Sequence, residues 1–308
     1  MKINYYCLPY EGIFDGQAIY DRKLIDALRT LGHQVNVTIL KVKRDYLRMF
    51  PIWRKKVILE KISDNRSLNI VSHEALIDVC DVIKPDLFIV HNLFSHLEFK
   101  ANRLVESLYR FNSLKTYKRA FDCSREVLVL SERERKIASV VFGRDFLCEP
   151  PGLKSTEPLL LPVDKMVVKR AGSSAWLPKK ISLWSANQIR KVIINNGLKI
   201  FYEDESVRAI SLIEDKFLSG FKLKLLEMSY CGDTIISSVD LTEELKALGL
   251  SINNFLFVEN IDAFDMQSLL NNEAYFLTEN EIIEQQRYMA LRYSWVSIAK
   301  RIVEKLVV

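Results

Sequence analysis

Residues 2–40 constrain the fold most. A short apolar-aromatic run at 2–8 leads into the loop PYEGIFDGQ, which carries Gly12 and Gly16. Beyond it Leu24, Leu28 and Leu31 share one stripe at helical spacing, with Gly32 placed to stop the helix. Gln34 to Leu40 then alternates into a β-branched strand. Strand, glycine loop, helix and strand make the βαβ unit from which doubly wound parallel sheets are built.

A chain of 308 residues exceeds the usual single-domain range, and each of two domains would be large enough for its own core. Hydrophobic residues make up 49% and charged residues 27%, a globular composition without a repeat or a low-complexity tract. The start MKINYYCLPYEG has no long apolar core before a small-residue cleavage site, and no run approaches 18 apolar residues. Five cysteines, Cys7, Cys80, Cys123, Cys148 and Cys231, are odd in number and scattered, which fits reduced thiols in a cytoplasmic protein.

The second informative stretch is SGFKLKLLEMSYCG, residues 219–232. Phe221, Leu225 and Met228 recur at helical spacing, so a helix is expected with Gly220 at its N-terminus. The free N–H groups and dipole of such a first turn favour a phosphate; Gly220 allows close approach, and Lys222 or Lys224 would add a full charge. Glu227 then stands two turns in, able to accept hydrogen bonds from hydroxyls attached to that phosphate. The plainer alternative is an amphipathic helix in which Lys224 and Glu227 form a surface pair worth roughly 0.2–0.5 kcal/mol.

This helix resembles the nucleotide-sugar site of GT-B glycosyltransferases of the family 4, or "group 1", type. Gly220, Phe221, Glu227, Cys231 and Gly232 match that family's motif, and TIISS at 234–238 stands where its next strand lies. Ser219 occupies the place of the family's first glutamate, which holds hydroxyls of the donor sugar; the second, matched by Glu227, holds the ribose. Other segments match in order along the chain. They are Leu-Gly-His-Gln-Val at 31–35, the strand-Ser-helix unit EVLVLSERERKIASVVFG at 126–143, and Pro150-Pro151-Gly152 at the interdomain turn. AGSSAWLPKKISL at 171–183 follows, whose basic residue in the family touches the donor diphosphate, and YSWVSIAKRIVEKLVV resembles the closing helix that crosses back onto the first domain.

The resemblance implies an α/β GT-B-like fold: two Rossmann-like doubly wound domains facing a cleft. The expected division is an acceptor-side domain at 1–152, a donor-side domain at 153–285 and a returning helix at 286–308. It implies that Gly12, Gly16, Lys179, Lys180, Gly220, Phe221, Lys224 and Glu227 bind a UDP- or GDP-sugar donor, and that Ser219 and His91 lie at the catalytic centre. His91 follows the strand DLFIVHN (86–92) and so sits at a strand's carboxyl end, where α/β folds place ligands; a strand-end histidine held by backbone is the alternative. His33 is expected in a turn and His73 at a helix start, while 97–121 reads as charged helix where the family has a further histidine strand. The implied reaction is retaining sugar transfer to a glycan or lipid-linked acceptor in surface polysaccharide synthesis, without cofactor or metal.

Residues 41–61, KVKRDYLRMFPIWRKKVILEK, hold eight basic residues against two acidic ones, more than the whole chain's excess of +5. Arg48, Arg54, Lys55 and Lys56 interleave with Tyr46, Phe50 and Trp53, a pattern suited to an anionic membrane surface or an acceptor, or to a solvated face. A peripheral position on the inner face of the cell membrane is the corresponding expectation. Nucleic acid is not expected, because no RRM, KH or helix-turn-helix pattern accompanies the charge. No HExxH, no Cys/His cluster and no Gly-x-Ser-x-Gly elbow occurs. Two other readings compete: a GT-B-fold scaffold that has lost catalysis, and another sugar-nucleotide enzyme such as an epimerase or a nucleic-acid glucosyltransferase.

Overall fold

The computed structural model describes residues 1–10, 16–40, 67–93, 103–170, 184, 186–202, 207–214, 221 and 223–307. They form two compact units: residues 1–152 with the segment from Tyr293 onward, and a second spanning 153–214 and 223–292.

In the first unit, β1 (Lys2–Cys7), α1 (Gly16–Thr30), β2 (Gln34–Ile39), β3 (Ser67–Ser72), α2 (Ile77–Ile83), β4 (Leu87–Val90), α3 (Arg103–Cys123), β5 (Glu126–Val129), α4 (Glu132–Phe142) and β6 (Leu147–Cys148) follow in order. The strands lie β2-β1-β3-β4-β5-β6, and every pair is parallel. Alternate residues of these strands feed two cores, as a parallel sheet covered on both faces requires. Ile3, Tyr5, Cys7, Ile70 and Ile89 pack with α1, whereas Tyr6, Val71, Phe88 and Val90 pack with Val79, Tyr117, Phe121 and Ala138 of α2, α3 and α4. An asparagine ladder crosses three strands: Asn36 Nδ2 donates to Asn4 Oδ1 at 3.3 Å and Asn4 Nδ2 to Asn69 Oδ1 at 3.1 Å, in step with the backbone register.

The expected strand-Ser-helix unit is present. Ser131 caps α4 by accepting from the Glu134 N–H at 3.1 Å, and Gly143 ends it in the left-handed region at φ 64°. Gly32, at φ 81°, closes the turn after α1 as its position suggested.

The second unit contains β7 (Val163–Arg170), α5 (Ala186–Asn195), β8 (Lys199–Tyr202), β9 (Arg208–Ile213), α6 (Leu223–Cys231), β10 (Thr234–Ser237), α7 (Thr242–Leu248), β11 (Phe255–Phe257), α8 (Met266–Asn271) and α9 (Glu279–Tyr293). Its strand order is β11-β10-β9-β7-β8, again all parallel. Val168, Ile210, Leu212 and Ile236 of the sheet pack against Trp184, Ile189, Ile193, Met266 and Leu269. α9 belongs to this unit because Gln286 donates to the Leu159 and Tyr230 carbonyls, at 2.6 and 2.8 Å, and Ile282 and Met289 are buried. Gly232 is required where α6 turns into β10: its φ is 76°, and a Cβ there would fall 2.8 Å from the Ile282 side chain.

α10 (Trp295–Val307) returns to the first unit and buries Ile298, Ala299, Ile302, Val303 and Leu306 in the α1 core. Arg301 grips Glu149 through Nε and a terminal nitrogen, at 3.1 and 2.8 Å. The Trp295 ring lies so close to Gly152 that any Cβ there would come within 2.7 Å of it.

Candidate functional site

Each sheet reverses its strand order once, between β1 and β3 in the first unit and between β7 and β9 in the second. The crevice outside the carboxyl ends of the strands at such a switch point is where open α/β sheets bind ligands. Polar side chains converge at both.

In the first unit they form a buried hydrogen-bonded chain. Ser72, the last residue of β3, donates to Asp21 Oδ1 at 2.5 Å, and Tyr5 of β1 donates to the same oxygen at 2.8 Å. Ser72 Oγ also lies 2.9 Å from His91 Nε2, with Asp21 Oδ1 3.9 Å from that nitrogen. Asp21 is wholly buried and the His91 side chain is 9% exposed. The Tyr20 ring meets the His91 ring edge-on at a centroid distance of 4.7 Å and meets Trp295 at 5.2 Å. Burial raises the Tyr5 and Tyr20 hydroxyls above the ordinary tyrosine range, and the Asp21 carboxylate reinforces the rise.

His73 and Glu74 border the same chain. His73 sits at φ 95°, a backbone region that side chains rarely adopt, and its Nδ1 accepts from the Ala75 N–H at 2.9 Å. It caps a short 3-10 turn, as the expected helix start required. Glu74 accepts the His91 N–H at 3.2 Å, and desolvation pushes its carboxyl up while the nearby His91 pulls it down. Among the described residues, no group of three or more His, Cys, Asp or Glu side chains is arranged to hold a metal ion.

At the second switch point Arg170, the last residue of β7, donates twice to Glu214, just past β9, at 2.5 and 2.6 Å. Glu214 is 4% exposed. The connection after β9 leads to α6, whose buried residues are Leu225, Leu226, Met228, Ser229 and Tyr230. Glu227 is exposed on this helix and Lys224 is half-buried.

Among the residues picked from the sequence, His91, Gly16, Phe221, Lys224 and Glu227 are described. Gly12, Lys179, Lys180, Ser219 and Gly220, and the patch residues Arg48, Trp53, Arg54, Lys55 and Lys56, lie outside the described residues. Two local readings change. Gly16 is the first residue of α1 rather than part of the preceding loop. Phe221 lies ahead of α6, which begins at Leu223, and packs against the first unit's core instead of extending the stripe of Leu225 and Met228. Sequence reasoning missed Asp21, Ser72, Arg170 and Glu214. Asp21 had left a signal: it shares the helical stripe of Leu24, Ile25 and Leu28, where an acid is out of place unless partnered.

No protein-family sequence model matches the chain, and no curated protein matches it by sequence. Solved structures do match along the full length. Sucrose-phosphate synthase from Thermosynechococcus elongatus aligns at a TM-score of 0.64 with 13% identity over 98% of both chains. The catalytic domain of starch synthase IV from Arabidopsis thaliana, solved with ADP and acarbose, aligns at 0.61 with 11% identity over 99% of this chain and 98% of that one. HepE from Anabaena, solved with UDP, aligns at 0.59 with 12% identity over the whole of both chains. The protein therefore has the GT-B fold of these glycosyltransferases, two parallel-sheet domains in one chain.

Proposed function

We propose that the protein is a glycosyltransferase that moves a sugar from a UDP- or GDP-sugar to a glycan or glycolipid acceptor in surface polysaccharide synthesis. The observation that carries this reading is the full-length likeness to GT-B enzymes, two of them solved with a nucleoside diphosphate. The acceptor belongs to the first unit and the donor to the second, and the helix from Trp295 returns to the first. Glu227, exposed on α6, holds the ribose, while Gly220, ahead of α6, and the cations Lys179, Lys180 and Lys224 bind and offset charge on the leaving diphosphate, with Gly12, Gly16 and Phe221 completing the donor site. His91 belongs to the catalytic centre, and transfer is retaining and metal-independent. The patch around Arg48, Trp53, Arg54, Lys55 and Lys56 draws the enzyme to an anionic membrane surface.

A thermal-shift panel of UDP-, GDP- and ADP-sugars tests the donor assignment: a true donor at about 100 times its Kd stabilises by roughly 2.7 kcal/mol. Failure of every nucleotide to raise Tm, together with no sugar transfer, would overturn it. Ser219, in the place of the family's carboxylate, favours one second reading, a nucleotide-binding scaffold without catalysis. Robust wild-type turnover sinks that reading, whereas turnover only in Ser219→Glu establishes it.

A further inference from the structure

We propose that Lys169 and Asp233 are positioning residues for the donor site: their buried ion pair seats the carboxyl end of α6 on β7, and through that helix sets where Glu227 stands. The inference deepens the glycosyltransferase reading and rests on it for the role of Glu227.

Lys169 follows Val168 in β7, and because strand residues alternate it points to the face of the sheet opposite the one packed on α5. There its ammonium lies 3.0 and 3.2 Å from the two carboxylate oxygens of Asp233, in the turn between α6 and β10. The two side chains are 7% and 3% exposed. Asp233 Oδ1 also accepts the Ala209 N–H at 3.0 Å, and Oδ2 accepts the Ser211 hydroxyl at 2.6 Å, both from β9. A carboxylate has about four acceptor sites, and these contacts fill them. The backbone of Asp233 is committed too: its N–H donates to the Met228 carbonyl at 3.0 Å, and its carbonyl accepts from the Asn254 side chain at 2.6 Å. One residue thus ties the end of α6 to β7, to β9 and to the start of β11. Burial raises the Asp233 carboxyl, and the Lys169 charge is the largest influence opposing that rise.

A buried pair of this kind adds little stability of its own, since apolar side chains of similar volume hold a fold about as well. What it adds is direction. A charged contact with every bond made allows one placement of the turn, whereas apolar surfaces can slide. The rest of the carboxyl end is fixed in the same manner: from α9, Gln285 donates to the Ser229 carbonyl at 2.7 Å and Gln286 to the Tyr230 carbonyl at 2.8 Å. The Tyr230 hydroxyl in turn donates to the Glu157 carbonyl at 2.8 Å. α6 has only nine residues, and Glu227 stands four residues, about 6 Å, from its last one. A shift of the seat therefore carries Glu227 with it.

The variant Lys169→Met/Asp233→Asn removes both charges at nearly unchanged volume. Asparagine still accepts the Ala209 N–H and bonds Ser211, so the link to β7 alone is cut. Hydrogen exchange on the full chain without nucleotide should show α6 amides exchanging about tenfold faster, while α5 on the other face keeps its protection. Unchanged exchange in α6 overturns the seat. UDP and GDP dissociation constants then form a cycle with Glu227→Ala: the pair variant should weaken binding about fivefold in the wild-type background and by less than about twofold in Glu227→Ala. Equal losses in both backgrounds overturn the positioning role, because a merely structural defect acts whether or not Glu227 is present. Lys169→Gln, a milder cut, is read in the same two ways if the double variant does not fold. Absence of any UDP or GDP binding in wild type sinks the glycosyltransferase reading, and the role of Glu227 with it, while exchange still decides whether the pair seats α6.

Discussion

The two sheets reverse strand order at equivalent places, yet the polar groups gathered there behave differently. At the first, Asp21, Ser72, Tyr5 and His91 bond to one another inside the protein, around the buried Asp21 carboxylate. At the second, the Arg170–Glu214 pair neutralises itself across the strand ends, and the next helix carries an exposed carboxylate, Glu227. Topology supplies the crevice in both cases; the residues decide whether it gathers a buried hydrogen-bonded cluster or presents charge. The first edge should therefore answer to changes in proton position, and the second to loss of a charge.

The largest effect should come from breaking the second edge's pair. Arg170→Met leaves Glu214, 4% exposed, without its cation, and removal of one partner of a buried pair costs about 3–5 kcal/mol. Urea unfolding of the variant should show a loss of that size. A loss under about 1 kcal/mol would mean that water or another group compensates Glu214, and that the edge is not braced by this pair.

Glu227 sharpens the contrast because its effect should be on binding and not on stability. It is exposed, so Glu227→Ala should leave the unfolding midpoint near wild type. Charge-assisted bonds to a ribose are worth about 1.5–3 kcal/mol, so nucleotide affinity measured by calorimetry should fall at least tenfold. Unchanged affinity in the folded variant would remove Glu227 from the donor site.

What could be read beforehand follows the range of the interactions. The capped helix α4, with Ser131 and Glu134 three apart and Gly143 at its end, is written in adjacent residues, and so are the Gly32 stop and the strand end at His91. The polar contacts of both edges are not. Ser72 meets Asp21 across 51 positions because α1 packs back onto the sheet, and Arg170 meets Glu214 across 44 because parallel strands bring their ends together, neither with any local pattern. Only Asp21 betrayed itself, as an acid on an apolar stripe. Phe221 misled because helical spacing also fits a residue that precedes a helix, and nothing nearby marks Leu223 as the first turn.

The smallest expected effect tests whether the first edge resists charge. Desolvation raises the Glu74 carboxyl above its ordinary value of 4.5, so the folded protein holds that proton more tightly than the unfolded chain does. Stability from this group is complete below the ordinary glutamate range and is lost as pH rises through the raised value, since the unfolded carboxyl ionises first. Glu74→Gln cannot ionise. The stability of wild type minus that of the variant should therefore decline as pH is raised upward from about 4.5, in urea titrations at matched ionic strength. His91 opposes the shift through its own charge, so the decline should steepen in Glu74 controls carrying His91→Gln. A difference that stays flat, or grows with pH, would mean that Glu74 is as well solvated as a surface carboxylate, and the first edge would then be no drier than the second.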